Sequence, residues 1–437
     1  MQIGENILNM QTEENILLTD KNILVSVGEY DVNYMENTYD DFEYLKNNFC
    51  GQVFTNCVDL FSKLKNPTDE CLVYLCGDLS EFNLELIVSL TPNIKIISGL
   101  TYGYNNLEKS CEIIKLGQAP ININGVGIYF RQFFDQSNIF ESICLEHEFQ
   151  TLTESNKPTN AFRTGIYITK VESDKFNLLR CSSNFSGPTD NLELTDQMIL
   201  DQVNGILKYY YSSQTNLNHI LAQIYTNRKE DGEDKKARIK EHSDKTKDMP
   251  KNGLMAFCSF YQQVAKNSVK QSILTDSFDY VYNGATSVLT KMRFKLKKDV
   301  LLPNLTKQFD ITLYPNSVFV MSLEMNRLYT HEIIPSILPV ELIPTRMGYV
   351  IRCSKTQAIH KDGCTWLIDS NNNLTLLEEP NPESIAKLKE LYYKENITSE
   401  HIEYNEYNEF NFSLNKGDYM PPSSTRSILN FINENII

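Results

Sequence analysis

His242 and Asp244 stand two residues apart in the segment ARIKEHSDKTKDMPKNGLMAFCSFY. On a strand, residues i and i+2 share a face, so the spacing predicts an imidazole and a carboxylate side by side. A third ligand must come from elsewhere in the chain. The segment SVFVMSLEMNRLYTHEI supplies His331 after an apolar strand and a short turn. Two histidines and one carboxylate on a triangular face of an ion leave its other positions open, the arrangement that holds non-haem Fe(II). Mixed imidazole and carboxylate ligands suit iron and leave room for a chelating cosubstrate and for dioxygen.

A cosubstrate bearing carboxylates needs a cation near the third ligand. Arg346 and Arg352 follow His331 and are six residues apart, an even number, so on one strand they face the same side. Arginine suits planar, bidentate carboxylate binding better than lysine does. Upstream, Tyr225 ends the run HILAQIYT, and the charged loop NRKEDGEDK then leads toward His242. That pattern predicts a hairpin whose first strand places Tyr225 in the same pocket. A second H-x-D, His360-Lys361-Asp362, with the later His401 and Arg426, is a poorer set. His360 precedes a glycine turn, and His401 lies in a polar stretch without a clear strand. Glu146-His147-Glu148 reads as a solvated or salt-bridged helix face, and RKEDGEDKK, with charges of alternating sign, as a solvated loop.

The elements that must position these groups follow from periodicity. Between residues 22 and 100 the runs NILVSVGEY, CLVYLCGD and IKIISGL alternate with the helical patterns MENTYDDFEYLKNNF, VDLFSKLKN and LSEFNLELIVSL. That alternation predicts a small α/β unit with a parallel sheet over 1–117. It carries no glycine-rich phosphate loop, which favours a docking or scaffold role. From 118 to 370 the texture changes. A helix at FESICLEHEFQTL and another at LTDQMILDQVNGILKYYY accompany many β-rich runs, predicting a β-sandwich or barrel core with supporting helices. From 371 to 437 the chain is polar. PESIAKLKELYYKEN after Asn381-Pro382 predicts an amphipathic helix, and RSILNFINENII a second.

At the residues above, the sequence resembles the 2-oxoglutarate- and Fe(II)-dependent dioxygenases, most closely the AlkB-like branch. The matching features are His242-Ser243-Asp244-Lys245, the distant His331, and the R-x5-R from Arg346 to Arg352. The resemblance covers about 118–370. It implies an α+β fold with a double-stranded β-helix (jelly-roll) core, preceded by the small α/β domain. It implies Fe(II) on His242, Asp244 and His331, Arg346 on the distal carboxylate of 2-oxoglutarate, and Arg352 near the iron-chelating end. Members place a tyrosine from N-x-Y on the cosubstrate; here Gln223-Ile224-Tyr225 keeps Tyr225 but not the asparagine. Base-repair members carry an acidic residue two positions after the ligand aspartate, where this chain has Thr246. The segment Lys245-Thr246-Lys247-Asp248 is therefore expected to form the pocket lip. Lys245, Thr246, Lys247 and Arg163 are candidate substrate contacts, while Arg180, in the same lid region, is expected to be a surface charge.

The expected function is an oxidoreductase: O2-dependent hydroxylation or oxidative demethylation, with 2-oxoglutarate converted to succinate and CO2. A modified nucleobase is the leading substrate and a protein side chain the alternative, with a catalytically inactive binding or scaffold protein as the third reading. The net charge of −15 counts against broad phosphate binding. The 437 residues contain no apolar run near the roughly 20 a membrane helix requires. The ten cysteines form no C-x-x-C pair, so they are expected to be reduced and packed as small hydrophobes. With an acidic N-terminus that lacks signal-peptide features, the expectation is a cytoplasmic or nuclear protein without membrane contact. The N-terminal unit is a candidate docking site for a protein partner.

Overall fold

The apolar runs HILAQIY, LMAFCSFY and RMGYVIR become the strands His219–Tyr225, Leu254–Tyr261 and Arg346–Arg352, adjacent at the centre of a nine-stranded sheet. They are buried almost throughout, and both faces are covered. The computed structural model describes residues 15–27, 39–55, 71–80, 93–103, 111–152, 162–180, 183–212, 215–264, 269–272 and 276–423. The large sheet runs in the order 190–191, 163–169, 219–225, 346–352, 254–261, 317–322, 127–130, 121–123, with 150–151 pairing beside 163–169. All of its pairings are antiparallel except that of 190–191 with 163–169.

A four-stranded antiparallel sheet in the order 239–242, 329–334, 291–296, 308–312 packs against one face of the large sheet. The aromatic seam between them includes Phe294 on Phe319, with ring centroids 5.4 Å apart, and Phe257 on His331, also 5.4 Å. The opposite face of the large sheet is covered by the helices Ile139–Glu146 and Leu194–Leu207. The result is the expected sandwich with supporting helices. The charged run after Tyr225 forms its own hairpin, 228–230 with 233–235, around Asp231-Gly232, both at positive φ. Tyr225 and His242 therefore lie on strands of different sheets rather than on two arms of one hairpin.

The N-terminal segment forms a five-stranded, wholly parallel sheet in the order 52–54, 23–27, 73–78, 94–102, 112–115. The helix at 39–48 lies where its pattern placed it; VDLFSKLKN, most of LSEFNLELIVSL and the second C-terminal helix fall outside the described residues. The apolar cluster of this sheet runs without a break into the sandwich: Leu24, Phe49 and Tyr74 share one core with Ile128, Phe260 and Tyr349. Phe49 bridges Ile121, and the Tyr74 and Tyr210 hydroxyls are 2.7 Å apart.

A further antiparallel sheet joins 171–172, 175–178, 356–361, 364–368 and 374–376, extending past the boundary expected at 370. His360 lies in it, beside the Asp362-Gly363 turn, with Nδ1 3.0 Å from Thr365 Oγ1. The C-terminal helix spans Pro382–Ile397. Pro382 opens it, and the Asn381 side chain caps it by accepting from the Ser384 N–H. No described helix is long and apolar enough to cross a membrane.

Candidate metal centre

His242 is the last residue of its strand, and Asp244 lies just beyond the strand end. The equal-face argument thus covers only His242; a turn out of the sheet, not strand alternation, brings Asp244 inward. His331 lies in the middle of the neighbouring strand and pairs directly with His242. The link before it is the short helix Leu323–Leu328 rather than a simple turn. The three groups converge. Asp244 Oδ1 is 3.4 Å from His242 Nε2 and 3.9 Å from His331 Nε2, and one ligand atom of each lies within 4.8 Å of the others.

The electrostatics prepare these atoms for a cation. His242 Nδ1 is 2.8 Å from the Lys240 carbonyl. That contact makes Nδ1 the donor to the carbonyl and turns Nε2 toward the cluster. Burial pushes the His331 imidazole down to about 3, with His242 adding to the effect, so it is neutral. Burial alone would raise the Asp244 carboxyl, but Arg352 together with His242 and His331 outweighs it and holds Asp244 well below the usual carboxylate range. Arg352 Nε and Nη2 donate to Asp244 Oδ2 at 2.8 and 2.5 Å, leaving Oδ1 toward the histidines. Two imidazoles and a carboxylate are the donor set of a divalent transition metal, and they fit Fe(II).

The cavity beside this cluster has a volume of about 300 Å³. Its floor follows from strand register. Arg163, Tyr225, Arg346 and Tyr261 form one row across four strands, and Gly165, Gln223, Gly348 and Ser259 the next. Arg346 and Arg352 share the strand face, as their even spacing predicts. The Arg346 guanidinium lies over the Tyr225 ring at 4.3 Å. Gly348 makes room for it, since a Cβ there would sit 3.0 Å from Arg346 Nη1 and 3.1 Å from the Tyr225 ring. Arg346 is 4% exposed, its Nε has no partner, and no described carboxylate pairs with it. Gln223 Nε2 is likewise buried without a partner, because Gln223 Oε1 accepts from the Tyr225 hydroxyl at 3.1 Å. A buried cation and a buried amide donor, both lining one cavity, fit a carboxylate ligand.

Sequence reasoning missed Gln223 and Asn396, which also line the cavity. Gln223 carried a signal: two residues before Tyr225 on a strand, it must share its face. Asn396, on a distant polar helix, carried none.

The expected lip is corrected. Lys245 borders the cavity, but its ammonium is held by the Tyr392 carbonyl and Asn396 Oδ1 at 2.9 and 2.7 Å. Thr246 turns away from the cavity to bond Glu395, and Lys247, 2% exposed, lies against Phe412. Asp248 is buried in an ion pair with Arg180 at 2.6 Å, so Arg180 is neither a surface charge nor a substrate contact. Arg163 borders the cavity and is half-buried. Glu146, His147 and Asp196 also lie within ligand distance of one another. Both His147 ring nitrogens are already taken, Nδ1 by Asp190 at 2.9 Å and Nε2 by Asp196 at 2.8 Å. His147 is therefore a buried imidazolium between two carboxylates, which bears out the salt-bridged form of the expected face and not the solvated one.

No family model and no curated protein matches the chain. Among solved structures, OsALKBH1 aligns with 52% of this chain and 96% of its own, at 10% identity and a TM-score of 0.29. The non-haem α-ketoglutarate-dependent epimerase SnoN from nogalamycin biosynthesis aligns with 54% of this chain and 81% of its own, at 10% identity and a TM-score of 0.30. Likenesses of that size carry neither fold nor chemistry, and the functional reading rests on the site itself.

Proposed function

We propose that this chain is an Fe(II)- and 2-oxoglutarate-dependent dioxygenase, with the two facing sheets as a double-stranded β-helix core of AlkB-like type. One observation carries the reading. Two imidazole Nε2 atoms and a carboxylate oxygen converge beside a buried arginine that has no counter-ion among the described residues. His242, Asp244 and His331 would hold the iron. Iron with 2-oxoglutarate and O2 supplies an oxidant for a substrate C–H, releasing succinate and CO2.

The chain's own residues set the conditions. Arg346 takes the distal carboxylate of 2-oxoglutarate, and Tyr225 fixes the guanidinium by stacking beneath it. Gln223 Nε2 supplies a further donor. Arg352 keeps Asp244 ionised and fixes which oxygen faces the histidines. Leu221, Phe257, Met292 and Leu313 give the cavity an apolar wall that limits water. A cavity of about 300 Å³ holding 2-oxoglutarate admits one further group of modest size, such as a methylated base or a single side chain. Hydroxylation of an N-methyl carbon ends in loss of formaldehyde, and hydroxylation elsewhere leaves an alcohol. Arg163 is the candidate substrate contact at the rim.

The test is succinate formation from 2-oxoglutarate by the purified protein with Fe(II) and ascorbate, beside His242→Ala and Arg346→Ala. Turnover in the wild type and its loss in both variants is the expected result. Equal turnover in all three proteins refutes the assignment.

A further inference from the structure

The ligand segment is held from outside the sandwich. After His242 the chain leaves the small sheet, so the N–H groups of Ser243 and Asp244 have no ladder partners there. Buried backbone donors require partners, and two asparagine side chains supply them. Asn326 accepts from the Asp244 N–H at 2.9 Å and returns its amide to the Asp244 carbonyl at 3.0 Å. Asn396 accepts from the Ser243 N–H at 2.9 Å and from Lys245 Nζ at 2.7 Å. Asn326 belongs to the short helix within the core, whereas Asn396 belongs to the last turn of the C-terminal helix.

That helix end is itself fixed on the site. Lys297 Nζ donates to the Glu395 and Thr398 carbonyls at 2.7 and 3.0 Å, where the helix dipole favours a cation. The Glu395 carboxylate accepts from the Thr246 N–H at 3.0 Å, just past the ligand aspartate, and from the Tyr404 hydroxyl at 2.9 Å. Asn396 also lines the metal cavity. Since its Oδ1 is engaged by two donors, its Nδ2 is the atom left to face the cavity.

We propose that Asn396 is a positioning residue of the metal centre, so that the C-terminal helix is part of the site and not an appendage to it. It acts through Ser243, which lies between the two ligands His242 and Asp244. The inference rests on the reading of His242, Asp244 and His331 as metal ligands. Partners one shell out from a metal typically contribute 10–100-fold in affinity.

Co(II) is the probe, titrated into the full-length protein by absorption, with thermal melting of the metal-free protein followed by circular dichroism. Asn396→Ala removes the acceptor and should weaken Co(II) binding by about tenfold or more and alter the Co(II) bands. Asn396→Asp keeps an acceptor for both the Ser243 N–H and Lys245, and should restore affinity and spectrum. Tyr404→Phe loosens the same helix without touching the ligand segment, and should lower the melting temperature while leaving Co(II) binding unchanged. Wild-type affinity and spectrum in Asn396→Ala would overturn the proposal, and so would equal weakening by Tyr404→Phe, which would mark a general loss of packing. A wild type that binds no Co(II) would instead overturn the ligand assignment beneath it.

Discussion

At the scale of single residues, the site is a set of buried charges, among which Arg346 has no counter-ion in the described residues. Asp244 has Arg352, Asp248 has Arg180 and His147 has two aspartates, but Arg346 is buried over Tyr225 with no described carboxylate partner. An isolated buried cation is costly, and an anionic ligand in the cavity would offset that cost. Arg346→Lys keeps the charge but loses the planar fork. The apparent KM for 2-oxoglutarate should rise by roughly 10–100-fold, matching about 1.5–3 kcal/mol for a charged hydrogen bond; steady-state succinate assays measure it. Gln223→Leu removes a neutral donor at similar volume and should give a smaller rise, about tenfold or less. That His242, Asp244 and His331 would lie together was legible from side-chain chemistry, and that Arg346 and Arg352 share a strand face from their even spacing. The substrate lip was not. Lys245, Thr246 and Lys247 follow the ligand aspartate in sequence, yet their partners Tyr392, Glu395 and Phe412 lie well over a hundred residues away. No local pattern reports such a contact.

At the scale of elements, the strand Arg346–Arg352 serves two layers. Its cavity face carries Arg346, Gly348, Val350 and Arg352, while Tyr349 points the other way and donates to Asp196 at 2.7 Å. Asp196 is the second residue in a buried chain that continues through His147 to Asp190. The helix Leu194–Leu207, which carries Asp196, is thereby fixed to the back of the arginine strand. Burial acts to lower the His147 pKa, but hydrogen bonds and charge from Asp190 and Asp196 outweigh it and raise it to about 10. The folded state therefore holds this proton more tightly than the unfolded chain does, whose histidine titrates near 6.5. The stabilisation is fully present below about pH 6.5, declines as pH rises, and is lost above about pH 10. His147→Ala leaves two carboxylates without their cation and should cost about 3–5 kcal/mol near neutral pH. Denaturant unfolding of both proteins across pH 6 to 10.5 should show that difference shrinking with rising pH. A difference that grows would contradict the imidazolium assignment. The helices and strands were largely legible from apolar period. The burial of His147 was not, because a histidine between two glutamates reads as a polar helix face until Asp190 and Asp196 arrive from another part of the chain.

At the scale of the whole molecule, the division of the chain into three parts is visible in composition but not in the core. The parallel N-terminal sheet carries the alternation that predicted it. Yet Phe49, Tyr74 and Cys50 sit in one apolar cluster with the sandwich, so a docking role must use the outer parts of that sheet. The two regions should unfold together. Labelling of Cys50, which is fully buried with its thiol raised to about 12 by burial, should begin at the denaturant concentration where labelling of Cys258, buried in the sandwich strand Leu254–Tyr261, begins. Labelling well before that point would show an independent N-terminal unit. The C-terminal region, legible as an amphipathic helix in a polar stretch, is fixed beside the candidate metal site because its asparagine, glutamate and last-turn carbonyls meet Lys245, Lys297 and the backbone donors after His242. Those are polar contacts, which hydropathy does not register. Anaerobic calorimetric titration of 2-oxoglutarate into the wild type and Arg346→Ala, each with and without Fe(II), shows whether a carboxylate cosubstrate completes the metal site. Binding should require Fe(II) in the wild type and be at least about tenfold weaker in the variant. Failure of 2-oxoglutarate to bind the Fe(II)-loaded wild type, or binding indifferent to both metal and Arg346, would contradict the proposed function.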